Sequence, residues 1–317
     1  MSLNLPISEA ISNRKSILVA GMGGGFDIFC GLPIYFELKK QGRTVHLASF
    51  SFSDIMNYKG EVQLTETLKA VGKDNKELAV YFPELYLAQW FSNVVHEETA
   101  IWCFQKTGAR PLLQNYRILQ DYLGLDCIIL VDGGVDSLVR GDESATGTLI
   151  EDATSLFAVN ELSEVPTKII CCVGLGIEPD LSYYHILENM ARLTEAGGFL
   201  GTCSLVPKMS TYKLYEDAVN YVQGMRLQDP SVINSSIVSA VQGHYADYHM
   251  TKKTEGSRLW ISPLMGIYWF FDLPIVANFN LYLPNLRDSE TFMDAMVSFM
   301  TTAGALERRP WQRIPLP

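Results

Sequence analysis

The chain has 317 residues, of which 48% are hydrophobic and 19% charged, with a formal net charge of −10 at neutral pH. That length and apolar fraction can bury a large core, fitting one big α/β domain or two modest ones, and they argue against a disordered chain. Lysine and arginine are scattered rather than gathered, so there is no basic footprint for a nucleic-acid backbone, and nucleic acid is not expected as a partner.

From the N-terminus, MSLNLPISEAISNRKS lacks the basic start and apolar core of a signal peptide, so the expected compartment is the cytoplasm. An apolar strand over Ser16–Ala20 runs into Gly21-Met22-Gly23-Gly24-Gly25-Phe26-Asp27, and a helix over Phe26–Gln41 stops at Gly42. A second strand covers Thr44–Ser49. Residues 52–83 fit the alternation least and read as an insertion over the sheet edge, with Leu64–Val80 as its polar turn. Helices follow over Glu84–Thr107 and Leu112–Leu123, each stopped by a glycine, then a strand over Cys127–Val131.

The second half continues with a helix over Thr148–Asn160, a strand over Lys168–Val173, a helix over Ser182–Glu195 and a strand over Phe199–Ser204. A helix over Tyr212–Gln228, a strand over Ile275–Phe279 and a helix over Ser289–Thr302 complete the reading. Such alternation predicts a doubly wound, mostly parallel Rossmann-like α/β sheet with helices on both faces, the whole chain forming a single domain. Ile261–Phe279 is apolar enough to suggest a membrane span, yet Pro263, Asp272 and Pro274 interrupt it; buried strands joined by a turn are expected there, and no membrane partner. The aromatic run Trp260–Phe271 reads as core or as a subunit interface for a homo-oligomer. None of the six cysteines forms a C-x-x-C pair, and most sit in apolar runs as reduced core thiols.

In parallel sheets, ligands bind where strand carboxyl ends meet the following helices. Three glycine-rich turns fall at that edge: Gly21, Gly23, Gly24 and Gly25 with Asp27; Asp132, Gly133 and Gly134; and Gly174 with Gly176. Ser204 closes another strand there. Such a turn exposes backbone N–H groups at the positive end of a helix, a site for a small anionic metabolite bearing phosphate or carboxylate. The competing use is a tight turn that lets strand and helix pack closely. Asp27 suits either a ligand hydroxyl or a helix cap.

Val131–Asp152 gathers Asp132, Asp136, Asp142, Glu143, Glu151 and Asp152 around Arg140. Carboxylates so close repel one another unless solvated, paired or shared with a cation, and Mg2+ or Mn2+ prefers such ligands. Asp132 and Asp136 are the leading metal ligands, with Asp142 and Glu143 beside them. The alternative is a solvated loop in which Glu151 and Asp152 favour a helix start. Arg140 fits a carboxylate or phosphate clamp, or neutralises its neighbours. His244, in a polar stretch with His249, is the candidate general base, with Asp136 and Arg140 as the other catalytic candidates; His96 reads as structural.

Several chemistries find no support. The dinucleotide fingerprint has Phe26 where a third glycine belongs and no carboxylate after the second strand, which weakens a NAD(P)-linked oxidoreductase. No Gly-Lys-Ser or Gly-Lys-Thr follows the glycines, and no G-x-S-x-G elbow occurs.

VAGMGGGFD, DGGVDSLVRGDE and IEDATSLFAVN, in that order, resemble the domain-of-unknown-function 1152 family. The resemblance places Gly21, Gly23, Gly24, Gly25, Asp27, Asp132, Gly133, Gly134, Asp136, Arg140, Gly141, Asp142, Glu143, Glu151 and Asp152 on motif positions, and it implies a fold rather than an activity. The functional expectation is therefore a metabolite-binding protein with a Mg2+ or Mn2+ loop, acting as a metal-dependent hydrolase or transferase. A non-catalytic nucleotide or metabolite sensor is the alternative, and an oxidoreductase the second.

Overall fold

The computed structural model describes residues 6–74, 80–147 and 149–314. Nine strands form one sheet: β1 (Ser16–Gly21), β2 (Thr44–Phe50), β3 (Val62–Thr65), β4 (Leu68–Val71), β5 (Ile101–Phe104), β6 (Cys127–Asp132), β7 (Thr167–Cys172), β8 (Phe199–Ser204) and β9 (Ile267–Asp272). Their order is β3-β4-β5-β2-β1-β6-β7-β9-β8. The five central strands are parallel, whereas β3 and β4 at one edge and β9 and β8 at the other pair antiparallel to their neighbours.

Both faces are covered, and the strands show why. In β1, Ile17 and Val19 enter one apolar cluster while Leu18 and Ala20 enter the other; Ile129 and Ile128 of β6 divide in the same way. Successive side chains of a strand point to opposite faces, so near-continuous apolar runs need a helical layer on each side. One layer contains helices Asp27–Cys30, Leu32–Lys40, Pro83–Trp90, Ser210–Gln223 and Val232–Val241, and the other Ala109–Leu123, Leu149–Asn160, Tyr183–Glu195, Leu273–Phe279 and Phe292–Ala305. This is the doubly wound α/β arrangement.

Four expectations need correction. Ile275–Phe279 is not a strand: Asp272 accepts the Ile275 N–H at 3.2 Å and Pro274 sits in the first turn, so a helix starts there, while the strand lies upstream as β9. The helix over Glu84–Thr107 ends far earlier. It passes into a π-helical turn over Phe91–Val95, His96 takes a left-handed φ of 59°, and Ile101–Phe104 become β5. Leu64–Val80 is not simply a polar turn, because it holds the end of β3 and all of β4, paired through β5 to the sheet; residues 75–79 lie outside those described. Tyr212–Gln228 ends at Gln223, which leaves Leu227 and Gln228 in the following turn.

All six cysteines are free thiols, five of them buried. Among the described residues no helix is long and apolar enough to cross a membrane.

Candidate functional site

β1 leads back along the sheet to β2, and β6 leads the other way to β7, so the winding reverses between β1 and β6. Their carboxyl ends lie side by side, with Gly21 opposite Val131 and the Met22 N–H donating to Val131 O at 3.0 Å. Strand ends that diverge at such a point leave a crevice. Here it is a cavity of about 690 Å³, lined by Gly23 and Gly24 after β1, Asp132, Gly133 and Asp136 after β6, and Ile177–Leu181 after β7.

Its walls are strongly acidic. Asp27, Asp132, Asp136, Glu151, Asp152, Glu178 and Asp180 all line it, and among its described lining residues there is no lysine, arginine, histidine or cysteine. Asp27, Asp132 and Asp152 each offer a carboxylate oxygen, and those three oxygens lie within 4.8 Å of one another. Three elements bring them together. Asp27 opens the helix after the glycines, and its Oδ2 accepts the Gly23 N–H at 2.8 Å. Asp132 ends β6 with its Oδ2 accepting from the Ser137 N–H at 3.1 Å and from the Ser137 hydroxyl. Asp152 lies in the first turn of Leu149–Asn160, and Ser155 of that helix ties it to the glycine turn by donating to Met22 O at 2.8 Å.

Asp152 is 3% exposed, and its Oδ1 is buried with no hydrogen-bond partner among the described residues. An uncompensated buried carboxylate oxygen is costly. Burial pushes the Asp27 carboxyl up to about 7, opposed by the Gly23 N–H and reinforced by the charge of Asp136. Burial, then the neighbouring charge of Asp136, likewise holds Asp132, Asp152 and Glu178 well above the usual carboxylate range. Like charges at this spacing are tolerated only when protonated or shared with a cation. Oxygen-only ligands in such a set suit Mg2+ or Mn2+.

The glycines acquire a specific reason. A Cβ on Gly23 would stand 2.5 Å from Asp27 Oδ2 and 2.7 Å from Asp152 Oδ1, and one on Gly133 2.7 Å from Asp27 Oδ1. A Cβ on Gly24 would strike Phe50 O and the Phe52 ring, and one on Gly25 the Tyr81 hydroxyl. What comes closest to this backbone is the protein's own carboxylates and aromatic rings. Gly21 serves packing, since its Cβ would meet Ile28 N at 2.5 Å.

The other sequence candidates are placed elsewhere. Gly134 does not line the cavity, though a Cβ there would face Glu178 Oε2 at 3.1 Å. Gly174 and Gly176 shape the β7 turn with φ of 96° and 107°, outside the cavity wall. Ser204 lines a separate apolar groove at the β8 edge with Ile7 and Ile34. His244 stacks on Tyr248 at 3.7 Å between ring centroids and does not reach the carboxylates.

Asp142 and Glu143 lie outside the Asp27–Asp132–Asp152 carboxylate cluster. Arg309, near the C-terminus, donates to Asp142 Oδ1 at 3.0 Å and Glu143 Oε1 at 2.7 Å, Arg140 donates to Asp142 Oδ2 at 2.6 Å, and Asn189 donates to Glu143. Both carboxylates are satisfied by these partners, so Arg140 is a structural cation there. In the sequence Asp152 belongs to the acidic run but not to the leading metal ligands, and Glu178, Asp180, Phe52 and Tyr81 stand outside the candidate set. Glu178 had a signal, because it lies two residues past the Gly174-Leu175-Gly176 turn at the strand edge.

No curated protein and no solved structure matches the chain. The model of the family described as "Protein of unknown function (DUF1152)" matches residues 18–307, a span holding every carboxylate of the cavity, and the chain belongs to that family.

Proposed function

We propose that the cavity is a divalent-metal centre, taking Mg2+ or Mn2+ on Asp27, Asp132 and Asp152, and that the metal draws in a small metabolite bearing a phosphate or carboxylate group. One observation carries the reading: the buried, unpartnered Oδ1 of Asp152, aimed into a cluster of three carboxylates. Charge decides how an anion would bind. Seven carboxylates line the cavity and Lys106 neutralises only Glu151, at 2.7 Å, so a bare anion meets repulsion. A divalent ion reverses that field locally, and it supplies Lewis-acid polarisation and activation of water for hydrolysis or group transfer. Because no histidine, lysine or cysteine is among the described lining residues, the proton acceptor in such a reaction would be a carboxylate.

That same lack of a nitrogen base favours a second reading, a metabolite sensor without turnover. Calorimetric titration of Mn2+ into metal-stripped protein tests the centre: one saturable event is expected in wild type and none in Asp152→Asn. Equal binding by the two proteins would overturn the assignment. Incubating the Mn2+-loaded protein with a metabolite pool and weighing the retained ligands separates enzyme from sensor, since an enzyme changes their mass.

A further inference from the structure

Beside the acidic cavity lies a second one of about 600 Å³, and the two share Gly24, Asp27 and Phe52. The first is walled by carboxylates, whereas the second adds Tyr81, Leu227 and Asp229, whose carboxylate is paired with Lys253 at 2.5 Å. Two of its apolar walls are unusually open: Phe52 is 49% exposed and Leu227 53% exposed. Phe52 is held in place, because its ring lies against the Gly24 and Gly25 backbone and the Lys106 ammonium sits 4.9 Å from its centroid.

Leu227 has a left-handed φ of 62°, which a side chain with a Cβ rarely adopts. The next residue keeps it there. Buried Gln228 accepts the Phe82 N–H at 2.9 Å and donates to Val80 O at 2.9 Å, so the turn is pinned while the Leu227 side chain stands in the cavity. Strain of this kind persists where the surroundings over-determine it, and it concentrates at ligand clamps. A phosphate or a small carboxylic acid would fill only the metal lobe. A ligand that also used the second lobe would present a flat apolar face to Phe52 and Leu227, and aromatic rings of nucleobases are recognised in that way.

We infer that the ligand is a phosphate ester carrying a planar heteroaromatic ring, of the nucleoside monophosphate class, with its phosphate at the carboxylate-bound metal and its ring between Phe52 and Leu227. This rests on the metal-centre reading above. Adenosine 5′-monophosphate, ribose 5-phosphate and inorganic phosphate are the probes, titrated into Mn2+-loaded protein. The nucleotide should bind at least about ten-fold tighter than ribose 5-phosphate. Phe52→Ala and Leu227→Gly should each erase that advantage while leaving Mn2+ binding unchanged. Glycine adopts the left-handed region freely, so Leu227→Gly should melt no lower than wild type, which keeps loss of binding apart from loss of fold.

Equal affinities for the nucleotide and ribose 5-phosphate would overturn the inference and leave the metal centre standing. An advantage that survives both substitutions would also overturn it. Failure of wild type to bind Mn2+ would instead remove the reading beneath it, and Mn2+ binding without binding of any of the three probes would reject a phosphate-bearing ligand and overturn the inference.

Discussion

A methyl group added at Gly23 has no room: Asp27 Oδ2 and Asp152 Oδ1 stand 2.5 Å and 2.7 Å from where it would be. The backbone there needs no left-handed conformation, so the constraint is the carboxylates alone. Gly23→Ala should therefore displace both carboxylates and weaken the proposed Mn2+ binding by about ten-fold or more, as loss of supporting geometry does at metal sites. Gly304→Ala is the control, since nothing lies within 4 Å of its Cβ and alanine favours a helix; its Mn2+ affinity should match wild type. A different buried acid tests the pH dependence of the fold. Glu84 is wholly buried and accepts from Ser49 Oγ at 2.8 Å, and burial raises its carboxyl above the usual range. A raised carboxyl favours the protonated folded state. Its stabilising contribution is full below the ordinary glutamate value and is lost as pH rises through the raised one. Glu84→Gln should melt progressively higher than wild type as pH climbs through that window. Parallel melting profiles would reject the assignment.

Elements were legible where their ends carried local chemistry. The glycine stops at Gly42 and Gly124 and the strand-end turns of β1, β6 and β7 could be read directly, because a backbone constraint leaves its residue type in the sequence. Short apolar runs were not legible. Ile101–Phe104 reads equally well as the continuation of a buried helix, and only pairing with β2 and β4 makes it a strand. Asp272 and Pro274 did announce a helix start, but the apolar residues after them outweighed that signal. The loop carboxylates show a harder limit: Asp142 and Glu143 resemble metal ligands because their cation, Arg309, lies 166 residues from Glu143. The Arg309 guanidinium also reaches Glu188 at 2.6 Å, joining the loop to the helix Tyr183–Glu195. Glu143 is 1% exposed, so Arg309→Ala would strand a buried charge, and a loss of about 3 kcal/mol is expected. Lysine should restore little of it, because one ammonium does not reproduce a fork of donors. Chemical denaturation of the three proteins checks both statements; unchanged stability in Arg309→Ala would mean that the loop is held without this clamp.

For the whole molecule, the central parallel run and its switch point followed from the alternation of strands and helices, while the antiparallel edges depended on which distant segments found a free strand edge. The switch point is also where charge concentrates: seven carboxylates line one cavity in a chain whose net charge is −10. The fold thus holds together a group of residues whose mutual repulsion works against it. Such sites trade stability for function, and the trade should be measurable as an exchange of rank. Without metal, Asp152→Asn replaces a buried carboxyl that the cluster keeps from ionising with a neutral amide that can donate to its neighbours, so it should melt above wild type. With Mn2+ at a hundred times its dissociation constant, wild type gains about 2.7 kcal/mol by mass action, whereas the variant, lacking a ligand, gains far less. Wild type should then melt higher. If Asp152→Asn melts lower in both conditions, the carboxylate supports the fold itself and the repulsion argument fails. If it melts higher by the same margin in both, Mn2+ does not bind through Asp152.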